Sequence, residues 1–343
     1  MPGVRVRCAQ GSDLVYSRLS MPTRSLKRLA ILPMLLAIAC TSQAVRETRL
    51  PSVAARHTSS QAAALAAPAP LAAPTDDPAH KFDPPAELRL PTGLLAGERV
   101  PLLLVLHGFG VPSGLLIAKA GLDHIADQKK FAYLAPEGGR DTLGRPYWNA
   151  GKSCCDLDHR QVDDVTRLRQ LLDANLSNAA IDPKRVFLIG YSNGGFMAQR
   201  LACDVGDRIA GVVSVAGAAP APDVPCAQNS PLAFLEIHGD ADPIVHYAGG
   251  TVFDRADVSA HTSAHETANY WAQHLSCTGG LHDVQTLDLE PYVPAEETSV
   301  QRYDGCRGAV ELWTVRGGGH YVALQPPALE AIWSFVLSHP KEG

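Results

Sequence analysis

The sequence predicts an α/β fold in which a mostly parallel central sheet carries helices on both faces. Short apolar runs rich in Val, Ile and Leu alternate along the chain with segments of helical periodicity. These runs are apolar at successive positions, which is typical of strands that are covered on both faces. Polar motifs follow directly after several of the runs, and in parallel sheets ligands bind at those carboxyl ends.

The strands differ in how clearly the sequence marks them. The clearest is Val100–Leu106, an almost uninterrupted apolar run, and the weakest is 87–90, which we expect at an edge of the sheet. The predicted strands, in order, are 87–90, 100–106, 131–136, 185–189, 209–215, 232–237 and 310–315.

Helices are expected between these strands, because parallel neighbours need long crossover connections. The predicted helices, in order, are 114–129, 162–175, 193–201, 267–275 and 329–337. In the second of them Leu168, Leu171 and Leu172 fall on one face, as they do in a helix packed against a core.

The N-terminal residues have the pattern of an export signal. In the extension 1–44, a basic segment begins at Met21, an alternative start, and precedes an apolar stretch over 29–39. That stretch is too short for the ~18–20 residues that span a bilayer. It ends at Cys40, and two outcomes remain open: acylation of Cys40, as in a bacterial lipoprotein, or simple cleavage near Ala39 or Ala44. A secreted, extracellular or periplasmic location is expected, with an outer-membrane lipid anchor if Cys40 is acylated.

Residues 45–85 are rich in Ala, Pro and Ser and predict a flexible tether, after which 86–343 form the folded domain. The chain of 343 residues is 46% hydrophobic and 19% charged, with a formal net charge of -5. This composition is globular and gives no support for a nucleic acid partner or for a membrane surface apart from the anchor. The oligomeric state stays open.

The stretch around Ser192 has the order strand, tight turn, helix. The apolar run 185–189 leads into Gly190-Tyr191-Ser192-Asn193-Gly194, and a helical segment follows. A serine at the tip of such a turn needs small neighbours, since its backbone is strained. We therefore expect a nucleophile elbow with the Ser192 hydroxyl exposed at the sheet edge. The competing interpretation is an ordinary glycine-rich connection.

Two later residues can activate that serine. A hydroxyl needs a base within hydrogen-bond reach, and the base needs an orienting carboxylate. His320 follows the last predicted strand and three glycines, and Asp242 follows the strand before it. Asp240 competes for the acid role, but Pro243 pins the backbone after Asp242, so Asp240 is expected to be a turn residue or a helper.

Acyl transfer also needs donors for the developing oxyanion. We expect the backbone N–H of Asn193 to be one, and that of Phe109, in the His107-Gly108-Phe109-Gly110 loop, to be the other. His107 itself is expected to be structural. Trp148, His246 and Tyr321 are candidates for contact with the substrate, although Trp148 can equally plug the core. No metal or other cofactor is expected.

Eight cysteines fit an exported protein, and six of them fall in the folded domain. Six cysteines allow 15 pairings. Because adjacent cysteines do not bond easily to each other, Cys154 and Cys155 are expected to have different partners. A zinc site is the rival interpretation, but no metal-ligand spacing supports it. The six are Cys154, Cys155, Cys203, Cys226, Cys277 and Cys306.

Several stretches together resemble the secreted esterases of the polyhydroxybutyrate depolymerase type, a family that includes feruloyl and acetylxylan esterases. The resemblance covers roughly residues 86–340. The matching stretches are 106–108, 148–151 with Cys154-Cys155, 162–165, 190–195, 238–245 and 317–320.

The resemblance implies an α/β-hydrolase fold, no metal, and a triad at Ser192, Asp242 and His320. It also implies disulfides that link Cys154 and Cys155 to Cys203 and Cys226, and Cys277 to Cys306. Two departures bear on substrate identity: the family often has Pro at the position of His246, and often Trp-Pro shortly after the histidine, where this chain has Tyr321-Val322-Ala323.

The expected activity is hydrolysis of carboxylic esters through an acyl-enzyme. The substrate classes implied are hydroxyalkanoate polyesters or oligoesters, and feruloyl or acetyl esters of polysaccharides. Two alternatives remain: a serine peptidase on the same scaffold, and a non-catalytic surface-binding protein with this fold.

Overall fold

The computed structural model describes residues 85–222, 224–226, 230–321 and 326–341. The expectations for the export signal, for Cys40 and for nearly all of the tether lie outside these residues. In the described ranges no helix combines the length and the apolar character that crossing a membrane requires.

The core of the domain is an eight-stranded sheet with the strand order β2-β1-β5-β6-β7-β10-β9-β8. Neighbours from β2 to β10 run parallel, while β9 and β8 are antiparallel additions at one edge. A separate antiparallel pair is formed by β3 and β4. The strands are β1 Val100–Leu106, β2 Ala132–Leu134, β3 Gly139–Arg140, β4 Pro146–Tyr147, β5 Ile181–Tyr191, β6 Gly211–Val215, β7 Leu232–Gly239, β8 Leu281–Leu287, β9 Thr298–Tyr303 and β10 Gly308–Val315.

In the described ranges, six α-helices cover the sheet on both faces. They are α1 Ser113–Ala120, α2 Leu122–Lys129, α3 Asp164–Leu176, α4 Asn193–Val205, α5 Ala264–His274 and α6 Pro326–Ser338. One apolar cluster joins α3, α4 and α5 to one face of β1, and a second joins α2 and α6 to the other. Alternate residues of β1 enter the two clusters, because successive side chains of a strand point to opposite faces. The predicted two-sided parallel sheet is therefore confirmed.

Three local features differ from the sequence prediction. The helix expected over 114–129 is two helices, because Gly121 has a left-handed backbone (φ 58°) that ends α1. Residues 87–90 form only an isolated bridge from Arg89 to Tyr133. The edge strands β8 and β9 were not predicted, since most side chains of β8 are exposed and polar.

The described chain contains three disulfides: Cys154–Cys155, Cys203–Cys226 and Cys277–Cys306. The expectation that Cys154 and Cys155 bond to separate partners is wrong. The two residues are joined by a cis peptide bond that leaves their Cα atoms 3.1 Å apart. The two sulfurs bond to each other, and Cys203 pairs with Cys226.

Candidate active site

Ser192 lies at the tip of the sharp turn between β5 and α4. Its backbone has φ 53° and ψ -121°, a conformation that non-glycine residues adopt rarely. The turn is tight enough that a Cβ on Gly190 would lie 2.0 Å from the carbonyl oxygen of Gly194. A Cβ on Gly194 would lie 2.1 Å from the carbonyl oxygen of Leu106. Both flanking glycines are thus required by the close approach of backbone atoms.

We predict that Gly194→Ala destabilises the domain, by about 1–3 kcal/mol or more, because the new methyl group meets backbone that cannot move aside. Gly114→Ala is the matched control, since Gly114 lies in α1 and a Cβ added there would have no described atom within 4 Å. Helix propensity makes that change neutral or stabilising by up to about 1 kcal/mol. Urea denaturation of the two variants checks the difference. Equal midpoints would contradict the tight elbow.

The side chains of Ser192, His320 and Asp242 meet above the carboxyl ends of the strands. The Ser192 hydroxyl donates to Nε2 of His320 over 2.9 Å, and Nδ1 of His320 lies 2.7 Å from Oδ2 of Asp242. All three residues are buried. The hydrogen on Nδ1 faces the carboxylate, so Nε2 is left as the acceptor that a serine proton requires.

The Asp242 carboxylate is held in one orientation by the chain that follows it. Oδ1 accepts the backbone N–H groups of Ile244 (2.8 Å) and Val245 (2.9 Å). Burial alone would raise the pKa of Asp242, but its contacts with His238 and His320 outweigh burial and hold that pKa well below its usual range. The carboxylate facing His320 is therefore ionised at neutral pH.

The loop that carries His320 is held at both ends. Asp240 accepts the backbone N–H of Gly317 over 2.6 Å, and the Tyr191 hydroxyl donates to the carbonyl oxygen of His320 over 2.8 Å. Asp240 is thus a turn residue that supports the histidine loop, whereas Asp242 contacts the imidazole.

The two expected oxyanion donors flank the serine. Gly108 places the loop after β1 against the elbow, because a Cβ there would be 3.4 Å from the Ser192 Cβ. Among the described residues, no backbone hydrogen bond from the N–H of Phe109 is present. The N–H of Asn193 belongs to the first turn of α4, where backbone donors have no partner within the helix.

An open cleft of about 270 Å³ lies over the serine and histidine. Its walls are largely aromatic: the Phe109 and Phe253 rings are 6.1 Å apart, and Tyr321 stands at the rim with 75% of its surface exposed. The Arg145 guanidinium lies 4.8 Å from the Phe109 ring centre and is paired with Asp141 over 2.6 Å. The cleft therefore offers flat apolar surfaces beside the serine.

Of the three expected substrate contacts, only Tyr321 lines the cleft. Of the two interpretations left open for Trp148, the structure supports the core: its side chain is fully buried and its indole N–H donates to the carbonyl of His107 over 3.0 Å. Trp148 is part of the core, and its backbone is hydrogen-bonded to the Asn193 side chain at the start of α4. His246 is absent from the cleft lining and pairs with Asp254 over 2.7 Å.

His107 is buried and structural in its contacts. Its Nε2 accepts the backbone N–H of Gly138 over 2.9 Å. The Asn193 side chain is also structural: its Oδ1 accepts the backbone N–H of Trp148 over 2.7 Å, and its amide donates back to the carbonyl of Trp148 over 2.9 Å. The loop of Trp148, the His107 carbonyl and the turn at Ser192 are thus joined by hydrogen bonds.

Sequence reasoning missed Phe253 and Arg145, which line the cleft, and His238, which is buried beside Asp242. Phe253 lies in a short 3-10 helix, Val252–Asp254, and Arg145 in a loop; neither belongs to a motif, so no sequence signal marks them. In the described ranges, no group of three or more His, Cys, Asp or Glu residues could hold a metal ion.

The two-sided parallel sheet, with a serine elbow after β5 and a histidine loop after β10, defines the chain as an α/β-hydrolase. A family model described as phospholipase/carboxylesterase matches residues 96–287. The chain belongs to that family, and the resemblance drawn from its motifs is confirmed.

Individual relatives are similar at lower identity. NocK of Nocardia uniformis subsp. tsuyamanensis, whose name assigns it provisionally to the esterases, is 33% identical over 65% of this chain and 65% of its own length. Feruloyl esterase B of Piromyces equi is 28% identical over 68% of this chain and 42% of its own length. Poly(3-hydroxyalkanoate) depolymerase C of Paucimonas lemoignei is 23% identical over 69% of this chain and 58% of its own length. The chain thus spans less than two thirds of each relative.

A solved structure shares the fold. The acetyl xylan esterase from Aspergillus awamori superposes with a TM-score of 0.51 at 14% identity, over 72% of this chain and 93% of that one. At this identity the likeness concerns the architecture alone.

Proposed function

We propose that the protein is a serine esterase that hydrolyses carboxylic esters through an acyl-enzyme. The observation that carries the proposal is the chain of contacts from Ser192 Oγ through His320 to Asp242, at 2.9 Å and 2.7 Å. Membership of a carboxylesterase family supports it.

In the proposed reaction, Ser192 Oγ attacks the ester carbonyl carbon while His320 Nε2 takes the hydroxyl proton. The N–H groups of Phe109 and Asn193 donate to the carbonyl oxygen as it becomes an oxyanion. The C–O bond to the alcohol then breaks, and His320 returns the proton to the leaving oxygen. Water repeats both steps on the acyl-enzyme, releasing the acid and restoring the Ser192 hydroxyl.

We propose two substrate classes for this site, feruloyl or acetyl esters of polysaccharides and hydroxyalkanoate oligoesters or polyesters. The relatives' names supply both classes. The aromatic walls of the cleft favour a flat acyl group, because Phe109 and Phe253 offer ring faces and edges beside Ser192. The open cleft leaves room for an alcohol that is part of a larger molecule.

Replacing Phe253 with alanine is expected to raise KM for methyl ferulate about 2- to 10-fold, because an aromatic contact is lost. KM for an acetyl ester should stay nearly constant. Tyr292→Ala is the matched control, since Tyr292 is 82% exposed and is not among the cleft-lining residues. Initial rates on both esters check the prediction. An equal change of KM on both substrates would show that Phe253 does not form the acyl wall.

We also propose that the protein is exported. The basic and apolar segments before Cys40 support this, as do three disulfides in the described part of the chain, since disulfides persist in oxidising compartments. Mass spectrometry of the mature N-terminus tests it. A lipid-modified Cys40 would identify an anchored form, and an intact Met1 or Met21 would contradict export.

The proposed function is tested by turnover of p-nitrophenyl esters against turnover of peptide p-nitroanilides. We expect ester hydrolysis to be far faster. Faster amide hydrolysis would identify a peptidase. No turnover of any ester in a broad panel would favour a non-catalytic binding protein.

A further inference from the structure

A row of buried polar side chains leads from the interior of the domain to Asp242. Trp271 Nε1 donates to Gln199 Oε1 over 2.9 Å, and Gln199 Nε2 donates to Glu236 Oε2 over 3.2 Å. Glu236 Oε1 lies 3.2 Å from His238 Nδ1, and His238 Nε2 lies 3.4 Å from Asp242 Oδ2. Each of these residues is at most 4% exposed.

The contacts of His238 determine where its protons are. Nε2 lies 2.8 Å from the carbonyl oxygen of Val245, which can only accept, so Nε2 carries a hydrogen. The same nitrogen lies 3.4 Å from Asp242 Oδ2, within ion-pair distance. On the other side, Nδ1 lies 3.2 Å from Oε1 of Glu236 without a well-aligned hydrogen bond among the described residues, and burial raises the pKa of Glu236.

Stability alone does not account for this arrangement. A buried ion pair often contributes no more to stability than a well-packed apolar pair of the same volume, because both ions lose their hydration. In this domain the buried charged group is His238, on strand β7. Its side chain reaches the Asp242 carboxylate, which contacts His320.

We infer that His238, held by Glu236, is a positioning residue that fixes Oδ2 of Asp242 opposite Nδ1 of His320. This inference rests on the proposed function. The two backbone N–H groups fix Oδ1, and Nε2 of His238 lies 3.4 Å from Oδ2 as its second side-chain contact beside His320. Without it, Oδ2 has only His320 as a side-chain donor among its described contacts, and the carboxylate can rotate away from the imidazole plane.

The groups that face His238 come from several elements. Glu236 precedes it on β7, Asp242 follows β7, and the Tyr247 ring packs edge-on with its centre 5.7 Å away. His261, from the segment before α5, interacts with it electrostatically. The Tyr247 hydroxyl bonds to Thr314 instead. Burial would lower the pKa of His238, but the Asp242 and Glu236 carboxylates raise it to about 9.

Two amide substitutions of His238 distinguish the role of the Nε2 donor from that of the rest of the imidazole ring. The glutamine amide nitrogen can occupy the place of Nε2, whereas the asparagine amide reaches only the place of Nδ1. We expect H238N to lower kcat about 10- to 100-fold with KM nearly unchanged, because the donor to Asp242 is lost. H238Q should keep kcat within about threefold of the wild type, since it retains a neutral donor.

The pH dependence of kcat supplies a second readout, which a purely structural role would not move. His238 is charged below its raised pKa and becomes neutral as the pH rises through about 9. We therefore expect the wild-type kcat to fall about two- to threefold across that range, to the level of H238Q. H238Q should show no change there, because it has no group that titrates.

Thermal unfolding first establishes that each variant is folded. Wild-type kcat in folded H238N, or equal losses in H238N and H238Q, would overturn the inference. If H238N does not fold, H238Q decides alone, and the same alkaline fall as in the wild type would overturn the inference. A wild type without turnover on any ester would instead refute the proposed function.

Discussion

Replacing Ser192 with alanine is expected to lower kcat for ester hydrolysis by about 10⁴-fold or more. The variant loses the oxygen that forms the proposed acyl-enzyme, while the proposed oxyanion donors and the cleft remain. The remaining rate should therefore be that of direct attack by water on the bound ester. The measurement is steady-state hydrolysis of a p-nitrophenyl ester by purified wild type and S192A.

The fold of S192A should be intact, because the change removes one oxygen atom and adds no other heavy atom. We expect its free energy of unfolding to lie within about 1 kcal/mol of that of the wild type. An unchanged esterase rate in the folded variant would remove Ser192 as the nucleophile.

Asp242→Asn is expected to lower kcat by about 10⁴-fold although it preserves the shape of the residue, a loss of the size that the equivalent change causes in serine proteases with this triad. The reason lies in the contacts of the carboxylate. The backbone N–H groups of Ile244 and Val245 require an acceptor at Oδ1, so the asparagine oxygen must face them. Its amide group then points at Nδ1 of His320.

In that orientation Nδ1 must accept the amide hydrogen, and the imidazole proton moves to Nε2. His320 can then no longer accept the Ser192 proton at neutral pH. The pH dependence of kcat/KM in D242N checks this explanation, with partial recovery expected at high pH, where a serine alkoxide forms more readily. Activity close to that of the wild type at pH 7 would show that Asp242 does not set the tautomer.

The centre of the sheet could be predicted from the sequence because its strands are buried on both faces. Val100–Leu106 is an almost uninterrupted apolar run, and its predicted bounds match β1 residue for residue. That Ser192, Asp242 and His320 lie together could be predicted for a related reason. Each follows a strand whose end the sequence marks, and parallel strands bring their carboxyl ends to one edge.

The features that were missed have no local pattern. Strand β8 has mostly exposed side chains, so no hydrophobic period distinguishes it from a loop. The pairing of Cys154 with Cys155 is an exception to the rule that adjacent cysteines do not bond easily, and no sequence signal marks the exception. Trp148 could be assigned to the core only once its loop was seen packed under Asn193. His238 resembles any strand-terminal residue until its distance to Asp242 is known.

The central claim is tested most directly by labelling the protein with a fluorophosphonate, which bonds to activated serine oxygens, and mapping the adduct by mass spectrometry. We expect one adduct, on Ser192 of the wild type, with none on S192A and much slower formation on His320→Ala. A fully inhibited protein with unmodified Ser192 would contradict the claim.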